Sequence, residues 1–435
     1  MIKREEYIIQ GGNRLKGSVK IDGAKNSALK LLSACLLSDQ PIVLNNIPQL
    51  SDIYVMLELL GSLGSTLQFN DNTVYISTPT IKSTKASQEI TGRFRASIGV
   101  LGPLLSRAGQ ASVALPGGCA LGARPIDIHL ESFAKMGAEV IRDNCFVHAK
   151  GALKPATLNF HFPSVGATEN VMMAAVLTKG TTIINNAARE PEIVDLAHFL
   201  NAMGAQITGH GTSRLEIQGV DTLKAVEYTT MPDRLETVTF VLMALMTQGE
   251  LTLTQTNREF IEILKPYCDL SIEQIDEGIR VKGEIKSPAN IITAPYPGFP
   301  TDLQPLMMAA LTQAIGRSSI KEALFENRFM LAPELVRMGA HIEVEGNVAN
   351  IYGKTSLYGA SVMAPDLRAG VSLVMAAMAA TGETVLRNIL HIDRGYASLD
   401  RKLAACGASI LRRSQTTTDA SVIKTVAPGF GTSHG

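Results

Sequence analysis

Glu192-Ile193-Val194-Asp195-Leu196-Ala197-His198-Phe199-Leu200-Asn201-Ala202-Met203-Gly204-Ala205 sets apolar side chains at the three- and four-residue spacing of a helix with one buried face, then closes on a glycine. A glycine there suits a left-handed C-terminal cap, so the stretch predicts a surface helix ending at Met203. The closing phrase recurs as Leu63-Gly64-Ser65, Met136-Gly137-Ala138, Met338-Gly339-Ala340 and Cys406-Gly407-Ala408, spaced by about 70 residues. The interval between Gly204 and Gly339 is double. Midway through it, 258–272 carries an amphipathic run, with Tyr267-Cys268-Asp269-Leu270 where the glycine phrase would stand. Six units are therefore expected, one of them a degraded copy whose helix lacks its glycine.

Each unit also holds a segment that is apolar nearly all round: 28–37, 98–105, 171–177, 238–246, 306–311 and 371–380. Helices of that kind belong in an interior. Short β-branched runs such as Thr181-Thr182-Ile183-Ile184 and Thr252-Leu253-Thr254 follow them and read as strands. The expected fold class is α/β.

The chain has 435 residues, more than one hydrophobic core usually serves, and six units divide naturally into three per domain. The expected division is a first domain over 22–229, a second built from 1–21 and 230–413, and a mobile tail over 414–435, rich in Thr, Ser and Gly. Lys plus Arg number 40 and Asp plus Glu number 40, so there is no broad basic field of the kind that nucleic acid or an anionic membrane attracts. Any anion site must be local. The five cysteines form no C-x-x-C pair, and the charged start Met1-Ile2-Lys3-Arg4-Glu5-Glu6 is not a signal peptide, so a reducing cytoplasm is the expected setting. Apolar runs stop short of the roughly 20 residues of a membrane span, so no membrane insertion is expected.

The starts of the buried helices carry unusual residues: Lys25-Asn26, Arg95, Ser164-Val165-Gly166, Asp233-Arg234, Thr301-Asp302, and Asp366 with Arg368. Acids, Ser and Thr there can be plain caps. Lys and Arg oppose the positive end of the helix dipole, so each calls for a nearby anion, either a protein carboxylate or a bound phosphate. Pro116-Gly117-Gly118-Cys119-Ala120-Leu121-Gly122-Ala123-Arg124-Pro125 is a glycine-rich loop suited to a lid, and Arg124 near Cys119 would favour the thiolate. Phosphate-loop, zinc-protease and serine-hydrolase motifs are absent from the sequence. Cys145 and His148 have the spacing of half a metal site with no matching half, so packing is their expected role, and no metal or cofactor is implied.

Seven phrases together resemble the UDP-N-acetylglucosamine enolpyruvyl transferase (1-carboxyvinyltransferase) family: Asp22-Gly23-Ala24-Lys25-Asn26, Pro116-Gly117-Gly118-Cys119, Gly122-Ala123-Arg124-Pro125, Arg189-Glu190-Pro191-Glu192, Phe299-Pro300-Thr301-Asp302, Glu326-Asn327-Arg328 and His391-Ile392-Asp393-Arg394-Gly395-Tyr396. They occur in order between about Ile9 and Arg412. The resemblance implies an inside-out α/β barrel in each of two domains, six βαβαββ-like units in all. It implies transfer of the enolpyruvyl group of phosphoenolpyruvate to the 3-hydroxyl of UDP-N-acetylglucosamine with loss of phosphate, the first committed step of peptidoglycan synthesis. Lys25, Asn26, Arg124, Arg328 and Arg394 would hold phosphoenolpyruvate. Asn26, Arg95, Arg124, Pro125, Ile126, Asp127, Ile128, Ser164, Val165, Gly166, Asp302 and Leu324 would line the nucleotide-sugar pocket. Asp302 would be the base and Cys119 the proton donor, with Lys25 and Arg394 also in the catalytic set. Two other readings stay open at this point: the shikimate-pathway enolpyruvyl transferase, and a non-catalytic repeat scaffold in which those cations would be dispensable.

Overall fold

One unit shows why the chain repeats. Strand Thr157–Asn159 leads into helix Val165–Ala175, strand Thr181–Asn185, helix Pro191–Ala202, and the hairpin strands Gln206–Thr208 and Arg214–Gln218. The first two strands pair in parallel, as a helical crossover requires, and the hairpin completes the sheet antiparallel. The computed structural model describes residues 4–115 and 126–415, and in that span six four-stranded sheets share this order. The chain is thus a two-domain α/β fold of βαβαββ units.

Buried apolar residues form two clusters, one drawn from residues 28–223 and the other from 7–21 together with 235–406. The helices apolar on all sides lie inside them. Val238, Phe240, Val241, Leu242 and Met243 on helix Arg234–Met246 are all essentially inaccessible, each contributing roughly 1.5–3 kcal/mol relative to exposure. Helix Gln304–Leu311 packs against both Arg234–Met246 and Leu367–Ala379. The sheets and amphipathic helices lie outside. All five glycines of the closing phrase have positive φ, and the residue after each donates its N–H to the carbonyl five positions back, as in Ala205 to Leu200 and Ala138 to Phe133. That bond is the Schellman closure, which satisfies a carbonyl the helix end would leave unbonded.

Two sequence expectations change. The amphipathic run at 258–272 is not a helix throughout: a 3-10 turn covers Arg258–Leu264, and from Asp269 to Ile275 the chain is strand. Without a glycine to close it, the helix stops early and Tyr267 and Cys268 hydrogen-bond back to Leu264. The last strand, Ser409–Gln415, runs two residues into the segment read as tail, because it pairs along its whole length with Arg4–Gln10. Residues 416–435 lie outside the described residues.

The chain passes between the clusters twice. Strand Lys16–Lys20 pairs with Glu250–Thr254 of the second, whereas Val226–Thr229 pairs with Ile42–Asn45 of the first. The two crossings run side by side: Ala24 N–H donates to the Met231 carbonyl at 2.7 Å and Asp233 N–H to that of Asp22 at 2.8 Å. Gly23 has to be glycine there, since a Cβ would fall 1.7 Å from the Asn46 carbonyl oxygen. Lys402 Nζ reaches Asp22 at 2.8 Å and Glu236 at 2.6 Å, which ties both crossings to helix Leu399–Ala405. Among the described residues no helix is long and apolar enough to cross a membrane.

Candidate active site

Lys25 is the first residue of helix Lys25–Ala34, whose leading N–H groups have no turn before them to bond. Its own N–H is taken by Asp233 Oδ2 across the crossing, at 3.2 Å, and its Nζ lies 3.4 Å from Asp52 Oδ2. Arg394 closes the 3-10 turn Ile389–Arg394, and its Nε lies 2.9 Å from the other Asp52 oxygen. One carboxylate thus serves two cations that arrive from the two ends of the chain. Burial pushes the Lys25 ammonium below the ordinary lysine range; Asp52 opposes that push, and Arg368 and Arg394 add to it. Two cations thus share the Asp52 carboxylate, and Asp302 also favours the charged lysine, an arrangement suited to receiving an anion.

A second group adjoins it. Asp302 sits in the 3-10 turn Thr301–Leu303 that leads into helix Gln304–Leu311. Arg328 Nη2 donates to Asp302 Oδ1 at 2.8 Å, and Arg368 Nη2 is 3.7 Å from Oδ2. Again one carboxylate faces two guanidiniums. Arg328 and Arg368 are buried, while the Asp302 side chain keeps about a third of its exposure. Arg368 is fixed from behind by the Tyr396 hydroxyl at 2.9 Å, which also bonds Thr239. Arg234, first residue of its helix, pairs with Glu192 of the other cluster at 2.9 Å.

Several of the remaining predicted residues lie beside the first cluster. Ser164 caps helix Val165–Ala175 by accepting from Ala167 N–H at 3.3 Å, with Val165 and Gly166 in its first turn. Ile126, Asp127 and Ile128 begin helix Asp127–Lys135, and Arg95 begins the 3-10 turn Arg95–Val100. His129 links these starts. It accepts on Nδ1 from Asn170 Nδ2 at 3.1 Å, so the proton of the neutral ring is on Nε2, which faces Gly166 so closely that a Cβ there would lie 3.2 Å away. Leu324 lies in the loop after strand Gly316–Lys321, and its N–H donates to Glu322 Oε1. Cys119, Arg124 and Pro125, with all of 116–125, lie outside the described residues. Cys145 N–H is bonded to Asp143, and His148 to Ser112 and Asp143, in a hairpin.

Burial pushes the His129 imidazole down to about 3, with Lys30 and Arg95 adding to the effect. An unfolded ring titrates near 6.5, so between those values the unfolded chain binds a proton that the folded one refuses. Stability is therefore full above pH 6.5 and falls as the pH drops toward 3. His129→Gln is expected to remove about 2 kcal/mol of that acid sensitivity at pH 5. Denaturant melts across pH 4–7 check it; an unchanged slope would assign the sensitivity to other groups.

The sequence singled out Lys25, Arg394, Asp302 and Arg328, and the structure assembles them from both clusters. It missed Asp52 and left Arg368 without a role. Asp52 stands in the first turn of helix Ser51–Leu63, where an acid reads as an ordinary dipole partner. Its contact with Arg394, 342 positions away, has no signal in the sequence. The starts of buried helices, two short 3-10 turns and one loop thus bring together pairs of cations that share single carboxylates, an arrangement suited to holding an anionic ligand beside a partly exposed carboxylate.

A family model described as EPSP synthase (3-phosphoshikimate 1-carboxyvinyltransferase) matches residues 9–403. A Dinoroseobacter shibae protein named UDP-N-acetylglucosamine 1-carboxyvinyltransferase is 48% identical over 423 residues, spanning 95% of this chain and all of that one. A Rhodospirillum centenum protein of the same name is 47% identical over 430 residues, again with 95% and 100% covered. Among solved structures, the enolpyruvyl transferase NikO from Streptomyces tendae superposes with a TM-score of 0.85 at 25% identity over 95% of this chain and 100% of its own. An EPSP synthase from Acinetobacter baumannii gives 0.74 at 16%, over 94% and 100%, and supports the fold alone.

Proposed function

Because this chain belongs to the EPSP synthase family and, within it, to the UDP-N-acetylglucosamine 1-carboxyvinyltransferases, we propose that it transfers the enolpyruvyl group of phosphoenolpyruvate to the 3-hydroxyl of UDP-N-acetylglucosamine. The observation that carries the reading is the doubled cation set. Lys25 and Arg394 share Asp52, and Arg328 and Arg368 share Asp302, which gathers four cations in a way that suits a small guest bearing both phosphate and carboxylate.

In the addition step the sugar 3-oxygen bonds to C2 of phosphoenolpyruvate and gives its proton to Asp302, while C3 takes a proton from Cys119. In the elimination step C3 returns a proton to the Cys119 thiolate, the double bond re-forms, and the C2–oxygen bond breaks with its electron pair leaving on phosphate, which takes the proton held by Asp302. Lys25, Arg124, Arg328 and Arg394 hold the phosphate and carboxylate through both steps, with Asn26 beside Lys25. Ser164, Val165 and Gly166 offer a helix start to the nucleotide diphosphate, and Arg95, Pro125, Ile126, Asp127, Ile128 and Leu324 surround the nucleotide sugar. The protein then acts at the entry to peptidoglycan synthesis, in the cytoplasm, with domains divided at 22–229 against 1–21 and 230–413.

Phosphate release from phosphoenolpyruvate with each acceptor tests the reading. Release with UDP-N-acetylglucosamine is expected; release with shikimate 3-phosphate alone would overturn it, and release with neither would restore the scaffold.

Cys119 is also expected to be the first thiol alkylated by an epoxide that mimics phosphoenolpyruvate. Burial pushes Cys268 up to about 12 and raises Cys35 and Cys406 as well, so none of these offers a thiolate at neutral pH. Cys145 is exposed and is the internal control. Peptide mapping that finds Cys145 labelled before Cys119 would remove Cys119 from the acid role.

A further inference from the structure

Glu322 is buried at 2% exposure, and among the described residues no Lys, Arg or His reaches its carboxylate within 4.0 Å. Burying an unpaired carboxylate is costly unless its oxygens are satisfied by hydrogen bonds. Here they are. Oε1 accepts from Thr293 Oγ1 at 2.8 Å, Leu324 N–H at 2.9 Å and Phe325 N–H at 3.2 Å, and Oε2 accepts from Thr301 Oγ1 at 2.9 Å. Thr293 in turn accepts from Ala323 N–H at 2.8 Å, and Asn347 holds the Glu322 backbone on both sides.

Those four donors belong to three separate segments, and two of the segments carry site residues. Thr301 immediately precedes Asp302. Leu324 and Phe325 open the loop that leads to Arg328, whose guanidinium grips Asp302. The carboxylate therefore fixes both ends of the Asp302–Arg328 pair, through the turn on one side and the loop on the other. We propose that Glu322 is a positioning residue for enolpyruvyl transfer: it sets Asp302 and Leu324 against the nucleotide sugar and leaves the Lys25–Asp52–Arg394 group untouched. The inference rests on the reaction proposed above.

The substitution series follows from the bonding. Glu322→Ala removes all four acceptor contacts. Glu322→Gln keeps an oxygen for the three donors on the Oε1 side and turns an amide toward Thr301, whose hydroxyl can accept instead. Thr301→Val removes the Oε2 contact alone. Steady-state kinetics are measured with each substrate varied in turn, beside thermal melts. Glu322→Ala is expected to lower kcat and raise KM for UDP-N-acetylglucosamine by about tenfold each, with KM for phosphoenolpyruvate changed by less than about twofold. Glu322→Gln should recover all but about threefold of the loss, and Thr301→Val should show the same substrate asymmetry at about threefold.

Equal rises in both KM values, or a loss of activity that only tracks the folded fraction, would reduce Glu322 to a structural residue. If Glu322→Ala does not fold, Thr301→Val decides: a parental KM for the nucleotide sugar and parental kcat overturn the proposal. A parent protein that transfers nothing to UDP-N-acetylglucosamine overturns the reaction itself, which the parental assay shows before any variant is made.

Discussion

Lys25→Ala is expected to lower turnover by roughly a hundred- to a thousandfold and to raise KM for phosphoenolpyruvate, while the protein still melts cooperatively. The argument is charge arithmetic at one carboxylate. With Lys25 present, Asp52 divides its charge between two cations, so neither is closed off from a guest. Without it, Asp52 and Arg394 form a closed pair. Arg394 would then have to give up the Asp52 carboxylate to meet the ligand, and the start of helix Lys25–Ala34 would lose its charged donor. The fold has less at stake. Lys25 is desolvated, which works against its charged state, and the variant leaves Asp52 with a partner, so no buried charge is stranded. A parental rate in this variant would show that the second cation serves no reaction.

Asp302→Asn is expected to lower kcat by roughly a hundred- to ten-thousandfold with little change in KM for the nucleotide sugar, because the amide keeps the shape and one acceptor but cannot take the hydroxyl proton. It also removes the carboxylate shared by Arg328 and Arg368. Arg328 is almost wholly buried, so a stability loss of about 2 kcal/mol should accompany the kinetic effect, discounted because Asp302 itself is partly exposed. Rapid-quench measurement of a single turnover separates the two effects, since it reads chemistry on the folded fraction alone. A parental single-turnover rate would exclude Asp302 as the base and leave it as a clamp on two arginines. The pair of variants is diagnostic together. Lys25→Ala should act mainly on phosphoenolpyruvate, and Asp302→Asn on the step after both substrates are bound.

The two variants also mark where sequence reasoning was strong. Lys25 and Asp302 each stand at the start of a helix whose apolar periodicity is plain, so their placement follows from local pattern and dipole. Arg394 was legible through its resemblance to a family phrase and not through periodicity, since its segment is a short 3-10 turn. Asp52 and Glu322 were silent. Each is an acid at the end of an element, with nothing in its neighbours to distinguish it from a cap or a surface charge, and each acquires its role from partners contributed by distant segments.

The degraded fourth unit shows the same boundary from the side of the fold. Its amphipathic run was visible, yet the missing glycine changed more than a cap: the helix shrank to a 3-10 turn and the residues after it joined the sheet. Repetition predicted that a unit would be there and could not predict its shape.

Local pattern determined the six units, their buried helices, the five surface helices closed by a left-handed glycine and the helix starts that bear charge, because periodicity and backbone conformation depend on residues a few positions apart. Tertiary structure alone decided which strands Lys16–Lys20 and Val226–Thr229 would pair with and in what register, and which carboxylate each cation would share. The physical reason is that pairing across a crossing and burial of a charge are settled by what arrives in space beside a residue, and the chain carries no local mark of that arrival.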